Sequence, residues 1–146
     1  MIKLTKDILA QYCDLKEEVK DLRRRIANKQ TELDKMDEEG AVMDSVKGGY
    51  GGIQHFKISG FPYPEYSRKK TALYLYKAQL ENAELELLEL TNEVEDYIQS
   101  INNSRIRRII RYVFMDDLTY IQTAHRMGGR ATADSIRMEL NRFLEK

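Results

Sequence analysis

Residues 104–146 read SRIRRIIRYVFMDDLTYIQTAHRMGGRATADSIRMELNRFLEK, and the punctuation of this stretch decides how the chain folds. Asn102, Asn103 and Ser104 supply a helix start, after which Ile106, Ile109, Ile110 and Val113 fall on one helical face. That helix ends near Met115-Asp116-Asp117. Thr119 and Gln122 have the spacing of a capping box, in which hydroxyl and amide each satisfy a first-turn backbone N–H. The short helix they open has Ile121, Ala124 and Met127 as its apolar positions. Gly128-Gly129 ends it, because the chain must turn there through conformations that strain other residues. Thr132 caps a last helix whose apolar face is Ala133, Ile136, Leu140, Phe143 and Leu144. Helix, acidic turn, short helix with a small residue at its middle, glycine turn and amphipathic helix is the plan of a helix-turn-helix.

Working towards the N-terminus, two long runs carry a 3.5-residue period. Ile8, Tyr12, Leu15, Val19, Leu22, Ile26, Leu33 and Met36 alternate by four and three, with Lys29 at the one skipped position. Leu73, Tyr76, Leu80, Ala83, Leu87, Leu90, Val94, Tyr97 and Ile101 do the same without interruption. This period is that of a coiled-coil seam. Each run is roughly 43 Å long at a rise of about 1.5 Å per residue, and laid antiparallel they match from Ile8 with Ile101 to Met36 with Leu73. Arg23 then faces Glu84 and Arg25 faces Glu86. Leu75, Leu85, Leu88 and Ile98 lie off the seam, leaving apolar surface for a homodimer or a larger bundle. The expected fold is all-α. A helical hairpin fills residues 1–101, with helices at about 5–38 and 67–101, and a three-helix helix-turn-helix fills 102–146.

Between the two runs, residues 40–66 hold both prolines and most of the glycines. Ile53, Phe56 and Ile58 suit a short strand, and the aromatic Tyr50, Phe56, Phe61, Tyr63 and Tyr66 suit docking on the hairpin tip or a partner. A phosphate-binding loop is disfavoured, because the Lys-Ser/Thr that completes it is missing.

Charge is divided unevenly behind a formal net of zero. Residues 102–146 carry nine basic side chains, eight of them arginine, against five acidic ones; residues 1–101 carry the opposite excess. A basic tail on an acidic carrier points to a nucleic-acid partner. Charged residues at 33% and aromatics at 9%, without tryptophan, suit solvated helices better than a thick core. The single cysteine, Cys13, excludes an internal disulfide and fits a reducing cytoplasm. No run approaches the roughly 20 apolar residues of a membrane-spanning helix.

Nothing in this composition assembles a catalytic centre, so no enzyme and no cofactor are expected. His55 and His125 have no cysteine or second histidine at metal-ligand spacing, and Cys13 has no histidine nearby in sequence to act as its base. Asp116-Asp117 are read as capping and solvation before metal binding.

On the last helix Asp134, Ser135, Met138 and Arg142 lie opposite the apolar face, flanked by Arg137 and Asn141. Arg130 and Thr132 at its entrance suit phosphate contact. Arg105, Arg107, Arg108 and Arg111 on the first helix add attraction for phosphate or for RNA polymerase. Residues 104–146 resemble the promoter-reading domain of sigma-70-type factors, through Leu118-Thr119-Tyr120-Ile121, Ala124, Thr132-Ala133-Asp134-Ser135-Ile136-Arg137 and Arg142-Phe143-Leu144. In general organisation the whole chain resembles phage late transcriptional activators of the RinA/ArpU type. The resemblance implies contact with bases or phosphate at Ala133, Asp134, Arg137 and Met138. Alanine and methionine replace the polar readers usual at two of these positions, and the turn Gly128–Ala131 is longer than the sigma pattern. The implied function is a phage or prophage transcriptional regulator, an activator at promoter DNA with RNA polymerase. A small-terminase-type packaging protein and a protein-binding adaptor remain the alternatives.

Overall fold

The computed structural model describes residues 3–48 and 62–145, with the backbone alone for 41–48. Within these residues the chain is all-α. It forms α1 (Lys6–Gly48), α2 (Tyr63–Ser100), α3 (Ser104–Ile110) continued by a π-helical turn (Arg111–Met115), α4 (Tyr120–Met127) and α5 (Ala133–Glu145). Both long helices invade the expected connection. α1 runs through Gly40, since one glycine inside a helix costs only about 1 kcal/mol. α2 starts at Tyr63, ahead of the 67 expected, because Pro64 falls in the first turn, where a missing N–H breaks no intrahelical bond. The carbonyl of Pro62 accepts from Tyr66 N at 2.9 Å. The strand expected at Ile53, Phe56 and Ile58, and the docking of Tyr50, Phe56 and Phe61, lie outside the described residues.

Packing divides the chain into two compact units, Met1–Glu17 with Leu85–Lys146, and Glu18–Glu84. The boundary expected at 101/102 falls inside the first unit.

In the Glu18–Glu84 unit the seam reads as anticipated: Val19, Leu22, Leu33, Leu73 and Ala83 are buried. Arg23 meets Glu84 at 3.6 Å, the pairing the antiparallel register requires. Lys29, at the skipped seam position, and Lys69 from α2 converge on Glu32 at 3.4 and 2.7 Å. The Lys69 hydrogen bond holds the Glu32 carboxyl below its ordinary range. Tyr66 donates to Asp37, which pushes the phenol's pKa up.

In the other unit, Leu4, Leu9 and Tyr12 of the N-terminal segment meet Val94, Ile98 and Ile101 of α2. Onto the same cluster fold Ile106, Ile109 and Ile110 of α3, Ala124 of α4, and Ile136 and Leu140 of α5. Ile98, expected off the seam, is fully buried, because the C-terminal helices cover a second face of α2 near its end. Leu9 is buried while the seam residue Ile8 is only half-buried, for the same reason: the core here is broader than a two-helix seam. Leu75, Leu85 and Leu88 remain exposed, as expected. Full burial of a large aliphatic side chain contributes about 1.5–3 kcal/mol before entropy is charged. This cluster therefore holds the short C-terminal helices in place.

The corner after α3 depends on a residue far away in sequence. The π-helical turn closes with Asp116 N donating to Arg111 O at 2.9 Å and Leu118 N to Tyr112 O at 2.9 Å. Asp117 follows with φ 58°, a left-handed conformation that aspartate tolerates better than most residues. Lys16 Nζ donates to Phe114 O at 2.7 Å and lies 2.7 Å from Asp117 Oδ1. Its side chain is only 13% exposed and its ammonium stands 5.1 Å from the Tyr12 ring centroid. A helix end leaves carbonyls without intrahelical donors, and Lys16 supplies both the donor and the charge that suits that end.

Among the described residues no helix is long and apolar enough to cross a membrane. Replacing Lys16→Met is expected to lower the unfolding free energy by about 1–2 kcal/mol in urea, because the Phe114 carbonyl loses its charged donor. An unchanged midpoint would show that the clamp contributes nothing.

Candidate nucleic-acid interface

Three side-chain caps set the geometry of the C-terminal helices. Asn103 Oδ1 accepts from Arg105 N at 3.0 Å and Ile106 N at 3.4 Å, starting α3. Thr119 and Gln122 form the expected capping box: Gln122 N donates to Thr119 Oγ1 at 3.1 Å, and Thr119 N donates to Gln122 Oε1 at 2.9 Å. Before α5, Ser135 N donates to Thr132 Oγ1 at 3.1 Å and Thr132 N donates to Ser135 Oγ at 2.9 Å. Serine here takes the place that glutamate or glutamine holds in the usual box.

Between α4 and α5 the chain turns through Gly128 at φ 72°, ψ −168° and Gly129 at φ 63°. Among the described residues no atom lies within 4 Å of where a Cβ on either glycine would sit. Their requirement is purely conformational, and the Gly128 angles are a region essentially closed to other residues.

These constraints fix how α5 is presented. Ile136 and Leu140 are 0% and 1% exposed, while Asp134, Arg137, Met138 and Arg142 face outward. Met138 is 48% exposed, high for a large apolar side chain. Arg130 and Thr132 are exposed, and Ala133 is half-buried. Ser135 is also half-buried. Its hydroxyl donates to Thr132 O at 3.0 Å while accepting from Thr132 N, so it serves the cap rather than the outward face. Asp134 Oδ1 lies 3.4 Å from Arg137 Nη2. The two are one turn apart and both remain in solvent.

The first-helix arginines divide differently from the sequence expectation. Arg105 grips Glu139 of α5 through Nε and Nη2, at 2.9 and 3.0 Å. Arg107 donates to the Ile101 carbonyl, and Arg111 reaches Glu95 of α2 at 3.3 Å. Three of the four therefore hold the unit together. Arg108 instead lies over the Tyr112 ring, 5.8 Å from its centroid. Arg126, Arg130 and Arg142 are exposed and make no ion pair among the described residues. Arg126 was not singled out from sequence; its place in the last turn before the glycines is the signal that marks it.

A groove of about 370 Å³ runs along α4 and the start of α5, lined by Ile121, Ala124, His125, Gly128, Gly129, Ala131, Thr132 and Ala133. Ile121, expected to face the core, is 73% exposed. The buried side of α4 is set by Thr123 and Ala124, with Tyr120 and Met127 beside them, which turns Ile121 outward by about 100° or more. Thr123 is fully buried, and its hydroxyl has no hydrogen-bond partner among the described residues.

Among the described residues no cluster of histidine, cysteine or acidic side chains is arranged to hold a metal. Asp117 is committed to Lys16. Burial raises the Cys13 thiol above its ordinary pKa, with Lys16 opposing and Asp117 reinforcing the shift. Comparison with protein-family models, curated proteins and solved structures finds no match to the chain.

Gly128→Ala is expected to destabilise the protein by about 1–3 kcal/mol, seen as a lower urea midpoint; equal stability would contradict the turn geometry. The raised pKa leaves Cys13 with less thiolate at any given pH than a free cysteine. Alkylation by iodoacetamide at pH 8 is accordingly expected to be slower than for a cysteine peptide and to accelerate as pH rises further. A rate at or above the peptide's would contradict that environment.

Proposed function

We propose that the chain is a DNA-binding transcriptional regulator, of the phage or prophage late-activator type, whose α5 enters the major groove of duplex DNA. The observation that carries this reading is the outward arc of Asp134, Arg137, Met138 and Arg142, backed by the sealed Ile136 and Leu140. Arg137 suits bidentate donation to guanine, and Met138 suits the thymine methyl. Asp134 is able to accept from cytosine N4 or to steady Arg137. Arg130 and Thr132 at the helix entrance, with Arg126 just before the turn, contact phosphate and set register without reading sequence. In this reading the protein acts at promoter DNA together with RNA polymerase, and Arg108 is the first-helix arginine placed to help.

A mobility shift on random duplex DNA tests the reading. With three or four phosphate contacts, affinity is expected to fall roughly 40- to 150-fold between about 50 and 200 mM salt. Arg130→Ala is expected to weaken all sequences alike and to flatten the salt slope by about one unit. In a duplex library selection, Arg137→Ala is expected to relax preference at one base pair, a loss of about 1–3 kcal/mol in discrimination. No binding at about 50 mM salt would overturn the reading and favour a protein-binding adaptor.

A further inference from the structure

Between residues 85 and 100, α2 carries five acidic side chains and no basic one. This stretch lies wholly within the unit that holds the C-terminal helices. At about 100° per residue, Leu85, Leu88, Glu89, Asn92, Glu93 and Asp96 fall inside one arc of about 140°. All six are exposed, and Leu85 and Leu88 are 56% and 58% open to solvent. The leucines occupy one edge of the arc and the carboxylates the other. Val94, about 180° round the helix from Leu85, is fully buried with Ile98 in the shared core. The segment therefore cannot turn its leucines inward without exposing that core.

The carboxylates of this face serve nothing inside the unit. Arg111 pairs with Glu95, whereas Glu86, Glu89, Glu93 and Asp96 take no ion pair among the described residues. The last turn of α2 has no basic residue to offset them, and negative charge near a helix C-terminus opposes the helix dipole. Two leucines in water beside charges that disfavour the free helix form a surface completed from outside. Its charge decides what completes it. A polyanion is repelled, and so is the same face of a second copy. A cationic helix fits, because helices meet through apolar side chains at three- and four-residue spacing with charges on their flanks.

We infer that this face docks a basic amphipathic helix of a partner protein. Apolar side chains of that helix sit on Leu85 and Leu88, and lysines or arginines along one flank meet Glu89, Glu93 and Asp96. From Leu85 to Asp96 the face is about 17 Å long, so the contact spans about three helical turns. A contact of this length buries less than the roughly 1,200 Å² of a standard interface. The docking is therefore transient.

A displayed library of helix-forming peptides, randomised at its surface positions and selected on the full chain, tests the inference. Enriched peptides are expected to be cationic, with apolar residues at three- and four-residue spacing and basic residues along one flank. Leu85→Ser/Leu88→Ser is expected to weaken the selected peptides about tenfold or more. The same selection on Glu89→Lys/Glu93→Lys is expected to enrich acidic peptides instead. That variant's urea midpoint is expected to equal or exceed the wild type's, since lysine suits this end of the helix. No enrichment, enrichment of neutral or acidic peptides by the wild type, or peptides that bind Leu85→Ser/Leu88→Ser as tightly as wild type would each overturn the inference. A wild-type dimer in sedimentation that Leu85→Ser/Leu88→Ser abolishes would give the face to a second copy and overturn it too. No DNA enters this test, so its outcome and that of the mobility shift are independent.

Discussion

The burial of one apolar cluster, centred on Ile98, Ile109, Ile110 and Ile136, is the constraint on which the C-terminal helices depend. α3, α4 and α5 are 7, 8 and 13 residues long, at or below the roughly 12–15 residues at which an isolated helix becomes marginal in water. Caps at Asn103, Thr119 and Thr132 satisfy the first-turn donors, at about 1 kcal/mol each, and cannot hold such helices alone. The decisive contribution comes from Leu4, Leu9, Tyr12, Val94 and Ile98, which the N-terminal segment and the end of α2 bring to the same core. The three-helix stretch is thus completed by residues up to about a hundred positions away. This also explains why the packing boundary does not follow the sequence boundary at residue 101.

Once that core is sealed, the orientation of the remaining side chains follows. Burying Ile136 and Leu140 leaves only one side of α5 free, and the polar arc from Asp134 to Arg142 occupies it. The same packing consumes charge. Arg105 ties α3 to α5 through Glu139, and Arg111 ties the π-helical turn to α2 through Glu95. The cationic footprint left for a polyanion is smaller than the nine basic side chains of residues 102–146 suggest. It lies on Arg108, Arg126, Arg130, Arg137 and Arg142, with Asp134 beside Arg137.

Much of this was legible in the sequence because the signals are local. Caps act over three residues, a glycine turn over two, and a heptad seam repeats its own evidence; Thr119 with Gln122, Gly128-Gly129 and the seam from Val19 to Ala83 read correctly. What was not legible depends on contacts distant in the chain. Lys16 sits among charges in the middle of a helix, and nothing near it announces that it clamps the Phe114 carbonyl. Ile98 looks like a residue outside a two-helix seam until three more helices cover it. Ile121 fits the apolar period of its short helix as well as Thr123 does, and eight residues are too few for periodicity to choose between them. The candidate reading face was legible as a helical arc, apart from Ser135, whose hydroxyl the Thr132 cap claims.

Native-state hydrogen exchange of the full chain tests the shared core most directly. If it binds the C-terminal helices and the end of α2 into one cooperative unit, the amides of Ile98, Ile109, Ile110, Ile136 and Leu140 should share one opening free energy. That value should respond equally to denaturant at every one of these sites. Exchange of the Ile136 and Leu140 amides through a separate opening, lower in free energy than that of Ile98 and insensitive to denaturant, would contradict it.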